Sequence, residues 1–266
     1  MNIDALFLSL WEKYRSINPQ ASRIHALLSD RGEQVINDHV AFRTFNHPAI
    51  HVQKMAESFI REGYSLRGEY AFPEKQLHAI HLEHPDRRQP KVFLSEYLIE
   101  KLPASLQSLV YSLINQISPL ELTSQWLCSM GRPWKLTKAE YESLGNVSEY
   151  AAWLAAFGFQ ANHFTVLFNS LRSFSSLQDL NLFLKGAGFR LNQDGGEIKG
   201  SPKVFLEQSS TLAAKVQVEF SDGPLEIPAC YYEFALRYNL PNGELFQGFV
   251  AGNAARIFTS TDRQAA

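Results

Sequence analysis

The chain has 266 residues, enough for one large domain or for two modules sharing a core, and 45% of them are hydrophobic. Its formal net charge is −2 with lysine and arginine scattered, which excludes the basic footprint of a nucleic-acid-binding protein, and no basic amphipathic segment marks a membrane surface. The expected partner is a small molecule. No apolar run approaches the roughly 20 residues that span a bilayer, and Met1 to Leu10 carries neither a basic leader nor a small-residue cleavage site. Cys128 and Cys230 lie in apolar surroundings without metal-type spacing, so they read as buried free thiols in a reducing, cytoplasmic setting.

Apolar residues at three- and four-residue intervals predict helices over Ile3 to Tyr14 and Gln20 to Leu28, with Pro19 as a start signal. Residues 1–36 are therefore expected as an N-terminal helical cap. His39 to Phe45 alternates as a strand, and Ala49 to Glu62 has a helical period ending at Gly63, where a C-cap glycine belongs. Strand-like runs follow around Tyr64 to Phe72, Leu77 to Leu82 and Val92 to Leu98. Residues 37–100 thus spell β-α-β-β-β. Over 101–160, the spacing of Leu106, Leu109, Val110, Leu113 and Ile117, and then of Tyr150 to Phe157, predicts inserted helices and not a linker.

From Ala161 the first order returns, with a helix over Ser176 to Gly186 and strands near Glu197, Val204 to Glu207, Val216 to Phe220 and Ala229 to Leu236. Asn242-Gly243 is a tight-turn signal, and Leu245 to Val250 is expected to return across the sheet. The predicted class is α+β: two β-α-β-β-β modules forming a curved mixed sheet in one compact domain, the second module and C-terminal tail covering 161–266.

The repeat carries chemistry. Asp38-His39-Val40-Ala41-Phe42-Arg43 opens the first module and Asn162-His163-Phe164 opens the second, each a polar residue and a histidine on a strand. The last strand of each module holds a glutamate, Glu96 in Phe93-Leu94-Ser95-Glu96-Tyr97 and Glu233 in Tyr231-Tyr232-Glu233-Phe234. Two histidines and one carboxylate make the facial triad of non-haem iron sites. A carboxylate among aromatic residues is costly to bury unless paired or metal-bound; a salt bridge from Glu233 to Arg237 is the plainer reading, and either glutamate is open as the third ligand. Residues four apart on a strand share a face, so His39 and Arg43 point the same way, roughly 13 Å apart along the strand axis. The arginine fork there suits a carboxylate of a metal-bound ligand. His78 and His84 alternate with His81 across a strand and make a poor triad; His25, His47 and His51 sit on or beside helices without a partner.

These segments, together with Glu197-Ile198-Lys199-Gly200-Ser201 and Gln208-Ser209-Ser210-Thr211-Leu212-Ala213, resemble the 2-oxoadipate dioxygenase/decarboxylase family, also called hydroxyglutarate synthase, from about Asp38 to Phe258. The resemblance implies a vicinal-oxygen-chelate-like fold, one Fe(II), and conversion of 2-oxoadipate and dioxygen to 2-hydroxyglutarate and carbon dioxide, a step of lysine breakdown. It implies His39, His163 and Glu233 as the metal ligands and Arg43 as the residue that binds the substrate carboxylate. It also implies a C-terminal contact at Gly252 and Asn253. An octahedral Fe(II) with three protein ligands keeps three positions, enough for a bidentate 2-oxo acid and dioxygen. Gln208 and Ser209, with Ser210 and Lys199, are further candidates for the pocket wall, and Glu96 is then left to a structural role. Two rival functions share these residues: a metal-dependent lyase, isomerase or hydrolase, and a non-enzymatic protein that binds a small acid.

Overall fold

The computed structural model describes residues 3–124 and 126–265. Helices α1 (Ile3–Ile17) and α2 (Pro19–Asp30) form the N-terminal pair, together extending past the spans the periodicity marks, to Ile17 in the first and from Pro19 to Asp30 in the second. The first module follows as β1 (Asn37–Phe45), α3 (Val52–Ile60), β2 (Ser65–Phe72), β3 (Leu77–Glu83) and β4 (Lys91–Tyr97). Helices α4 (Ala104–Ile114), α5 (Pro119–Leu122), α6 (Lys138–Gly145) and α7 (Glu149–Phe157) separate it from the second. That comprises β5 (Ala161–Leu167), α8 (Leu177–Gly186), β6 (Lys199–Ser201), β7 (Leu206–Ser210), β8 (Lys215–Phe220), β9 (Gly223–Pro228), β10 (Tyr231–Arg237) and α9 (Ala251–Ile257).

Eight strands make one mixed sheet in the order β2-β3-β4-β1-β5-β10-β7-β6. Within each module the first and last strands are parallel neighbours, β1 with β4 and β5 with β10, and the modules meet where β1 and β5 run antiparallel. The predicted α+β class and curved sheet are observed. Helix α9 touches β2 at one edge of the sheet and β6 and β7 at the other, so the sheet curls until its ends come under one helix.

Two expectations fail in the second module. Val216–Phe220 is not part of the main sheet: β8 pairs only with β9 in a separate two-stranded hairpin, whose alternating exposure shows one face left in water. Leu245 to Val250 forms no strand among the described residues; after a single bridge between Asn239 and Leu245 the chain crosses as a loop into α9. Apolar content alone cannot separate a strand from a loop packed over a core.

The duplication is plain at the backbone. A 3₁₀ turn opening with Pro73 ends in Gln76 at φ +58°, and one opening with Pro202 ends in Phe205 at φ +60°. Such left-handed residues without glycine are sparse because the side chain crowds the carbonyl. Each here presents its carbonyl to the amide just beyond its module's last strand, Leu98 in the first and Tyr238 in the second, at 3.0 and 3.1 Å.

Helix α7 is buried along Tyr150 to Phe157, with Ser148 capping its start by accepting from the Ala151 amide. It lies against the inner face of the sheet near Arg43, where Tyr150 donates to the Ser95 carbonyl of β4. On the outer face, α3 covers β1, where Phe59 packs on Phe42. No helix among the described residues is long and apolar enough to cross a membrane.

Candidate metal centre

Strand parity decides which side chains meet. His39 on β1 lies in register with Thr165 on β5, and Thr165 with Glu233 on β10, while His163 faces Ala41 and Tyr231. His39, His163 and Glu233 therefore share the concave face on three adjacent strands, and they are buried. One ligand atom from each lies within 4.8 Å of the others. His39 Nε2 is 3.4 Å from His163 Nε2 and 3.6 Å from Glu233 Oε1, and His163 Nε2 is 3.3 Å from Glu233 Oε2. Ligand atoms about 2.1 Å from one ion come roughly 3.0–3.4 Å apart, so the group needs little adjustment to close on a metal.

The residue before each histidine prepares it. Asp38 Oδ2 accepts from His39 Nδ1 at 2.7 Å, and Asn162 Oδ1 accepts from His163 Nδ1 at 3.1 Å. Each partner holds the proton on Nδ1 and leaves the Nε2 lone pair aimed at the centre, the arrangement that orients metal-ligating imidazoles. Burial holds His39 below its ordinary pKa, against the pull of Asp38. Burial, with His39 and Arg43 nearby, holds His163 well below. Both rings are therefore neutral at neutral pH, the form in which an imidazole can ligate a metal. Burial pushes the Glu233 carboxyl up to about 8, although Gln208 donates to its Oε1 at 2.6 Å. A divalent ion among these atoms would supply the positive charge this buried carboxylate lacks.

Arg237 does not pair with Glu233, the plainer reading of the sequence. Its Nε and Nη2 donate to Asp38 Oδ1 and Oδ2 at 2.6 and 2.8 Å. Burial alone would raise the Asp38 carboxyl; Arg237 and Lys91 outweigh it and hold Asp38 well below the usual carboxylate range. Glu96 is excluded as a ligand by parity: it lies in register with Thr44 on the outer face, where it accepts from the Val52 amide at 2.9 Å and pairs with His78. The register equivalent of Glu233 in the first module is Phe93, two places past Lys91 as Glu233 is two past Tyr231.

Arg43 sits on the same face as His39, buried between Tyr150 and Trp153, whose ring centroids lie 4.7 and 4.9 Å from its guanidinium carbon. Nη2 donates to Thr261 Oγ1 at 3.1 Å, whereas Nε and Nη1 have no hydrogen-bond partner among the described residues. The Tyr231 hydroxyl is also buried and unpartnered, and that ring stacks on His163 at 4.5 Å. Tyr231 lines the cavity at the triad, while Arg43 lies behind Tyr150, which lines the neighbouring cleft; unpaired buried donors suit a ligand's acceptors. The cavity at the triad is lined by Phe93, Gln208, Tyr231, Phe249, Ile257 and Phe258, and Phe258 also lines the neighbouring cleft with Lys75, Glu149, Tyr150 and Asp262.

The other expected wall residues divide. Gln208 lines the cavity, and Asn253 on α9 donates to its Oε1 at 3.1 Å, so both steady Glu233. Gly200, at φ +88°, permits that approach, since a Cβ there would lie 2.5 Å from the Asn253 amide nitrogen. Ser209 lies in register with Phe234 on the opposite face and donates to Asn181 of α8 at 2.8 Å. Gly252 is exposed, with nothing within 4 Å of a Cβ built on it. Neither reaches the cavity. Lys199 Nζ is held by the carbonyls of Asn192 and Gly196, and the Ser210 hydroxyl pairs with that of Ser260. Tyr231 was legible, being two residues before Glu233 on one strand; Phe249 and Phe258 come from the loop and tail, where no periodicity marks a facing.

A curled sheet of paired β-α-β-β-β modules is the vicinal-oxygen-chelate-like fold, and the two histidines and the carboxylate on its concave face are a group that could hold a metal ion. The family model described as 2-oxoadipate dioxygenase/decarboxylase matches residues 128–245. The 2-oxoadipate dioxygenase/decarboxylase of Oryza sativa subsp. japonica, named as chloroplastic/amyloplastic, is 36% identical over 93% of this chain and 75% of its own length. The crystal structure of hydroxyglutarate synthase from Oryza sativa in complex with 2-oxoadipate superposes with a TM-score of 0.92 at 32% identity, over 98% of this chain and 92% of that one. A protein from Shewanella frigidimarina NCIMB 400 whose structure carries the name of a hydrolase is 49% identical, with a TM-score of 0.89 over 94% of this chain and 98% of that one. The chain belongs to the 2-oxoadipate dioxygenase/decarboxylase family.

Proposed function

We propose that this protein is an Fe(II)-dependent enzyme that converts 2-oxoadipate and dioxygen to 2-hydroxyglutarate and carbon dioxide, in lysine breakdown. The observation that carries the reading is the buried convergence of His39, His163 and Glu233 beside an arginine with two unpartnered nitrogens. Both atoms of dioxygen enter 2-hydroxyglutarate, one in the carboxylate formed from the keto carbon and one in the new hydroxyl, while the original carboxylate leaves as carbon dioxide with its own oxygens, so no external reductant is needed. When bound, Fe(II) would supply the means to chelate the 2-oxo acid head and to activate dioxygen.

The remaining work falls to the chain's own groups. Asp38 and Asn162 keep the two Nε2 atoms unprotonated and aimed inward, and Gln208, steadied by Asn253, holds the Glu233 carboxylate. Nε and Nη1 of Arg43 bind the distal carboxylate of the acid, fixing which carbon lies over the centre. Phe93, Phe249, Ile257 and Phe258 keep water from it. The buried, unpaired thiols of Cys128 and Cys230 fit a reducing cytoplasm.

The test is to load the protein anaerobically with Fe(II), add 2-oxoadipate and admit oxygen. Consumption of oxygen in step with carbon dioxide release and 2-hydroxyglutarate formation is the expected result. The hydrolase name of the Shewanella relative favours an oxygen-independent alternative, which turnover under argon would uphold.

A further inference from the structure

We infer that Arg237 is a positioning residue that ties the segment roofing the cavity to the orientation of His39. Its guanidinium, at the end of β10, is buried and uses both of its sides. One side grips Asp38 through Nε and Nη2, and the same Asp38 Oδ2 that receives Nη2 also receives His39 Nδ1. On its other side, Nη1 donates to the carbonyls of Phe246 and Gly248 at 3.1 and 2.8 Å. The next residue, Phe249, sets its ring edge-on to His39 with centroids 4.8 Å apart, lies 5.4 Å from the Arg237 guanidinium carbon, and gives its amide to the Tyr70 hydroxyl.

The two arms end on one imidazole. From below, Asp38 fixes the rotation of the His39 ring through its Nδ1 proton; from above, Phe249 closes the face the ring presents to the cavity. Asp38 has only two carboxylate oxygens, and Arg237 engages both, so the carboxylate plane that His39 meets is set by the plane of the guanidinium. A lysine would keep the charge that Asp38 needs but could neither set that plane nor reach the Phe246 and Gly248 carbonyls on the far side while it holds Asp38. The second module has no copy of this device: the register equivalent of Arg237 in the first is Tyr97, and His163 leans on the neutral Asn162.

The inference rests on the triad being a metal centre, and its test is metal binding in the full chain with Co(II) as a spectroscopic probe. Arg237→Lys is expected to raise the Co(II) Kd about 10- to 100-fold, as loss of a partner to a ligating histidine does, to alter the visible Co(II) bands, and to open the 246–249 loop to chymotrypsin. Asp38→Asn is expected to do the same, and the double variant to bind no more weakly than the worse single one by more than roughly threefold, because the two act as one unit. Unchanged Co(II) affinity and bands in a folded Arg237→Lys protein would overturn the inference while leaving the metal centre standing. Should Arg237→Lys not fold, Asp38→Asn decides alone: weakened Co(II) with the loop opened upholds it, and weakened Co(II) with the loop closed to protease sinks it. Failure of the unaltered protein to bind Co(II) would overturn the reading of the triad, and this one with it.

Discussion

The two modules repeat each other's backbone down to their left-handed residues, Gln76 and Phe205, yet they do different things with it. Each supplies a histidine from the start of its first strand. Only the second supplies a carboxylate, because Glu233 stands where the first has Phe93. Only the first places an arginine on the concave face, because Arg43 lies four residues past His39 and Leu167 lies four past His163. Duplication thus provided a concave sheet with paired imidazoles, and a few substitutions of opposite kind in the two halves made one asymmetric site from it. A symmetric pair of carboxylates would crowd a centre that has to leave room for a substrate.

The largest effect expected from breaking this asymmetry is at the carboxylates. Glu233→Gln should abolish tight metal binding and lower turnover on the order of 10³-fold or more, as loss of an indispensable group does. Glu96→Gln, at the other glutamate of the repeat, should leave metal affinity unchanged and instead destabilise the fold by about 1–3 kcal/mol, since the Val52 amide and His78 lose a charged acceptor. Calorimetric metal titration and chemical denaturation of both variants check the pair, and a metal defect in Glu96→Gln would break the assignment. Next in size is Arg43, the proposed partner of the distal carboxylate. Arg43→Lys should cost roughly 10- to 100-fold in kcat/KM with metal affinity intact, the worth of one charge-assisted contact in the transition state. Steady-state kinetics with 2-oxoadipate beside a metal titration separates the two.

Much of this contrast was legible in the sequence, and the rest was not, for physical reasons. Period-two alternation placed His39 with Arg43, and the repeat brought His163 and Glu233 to corresponding strands, because side-chain facing on a strand is a local property. Alternation within one strand could not say whether Glu96 or Glu233 faces inward. That depends on register between strands, which hydrogen bonds to β1 and β5 decide. Arg237 was read toward Glu233, four residues away, when its partner is Asp38, 199 residues earlier. Ser209 was one residue out of phase with the cavity, where Gln208 and Ser210 are in phase. The roof is the least legible part: Phe249 is set by a loop and Phe258 by the short turn after α9, neither with a pattern of its own.

Asn162→Ala sharpens the comparison on a smaller scale. His163 leans on a neutral amide at 3.1 Å where His39 leans on a carboxylate at 2.7 Å, so its loss should weaken Co(II) binding roughly tenfold, at the lower end for such partners. A larger loss than that of Asp38→Asn would reverse the ranking of the two sides.

The smallest effect lies on the outer face and concerns pH. Glu96 and Glu69 clasp the two nitrogens of His78 at 2.9 and 2.8 Å, and although burial works against its charge, the two carboxylates outweigh it and raise the His78 pKa. A histidine with a folded pKa above its unfolded value, near 6.5, stabilises fully below that value. It loses the contribution as pH rises through the folded pKa, because the unfolded chain then holds fewer protons than the folded one. His78→Gln should therefore lower Tm by a few degrees, about 4 °C at most, at pH 5.5, with the gap closing by pH 9. Scans of both proteins across that range check it, and a gap that widened with pH would mean that the clasp holds a neutral ring. The carboxylate of the first module is then seen to serve its own half, on a proton-bearing histidine of the adjacent strand, while Glu233 reaches across the module boundary to His39.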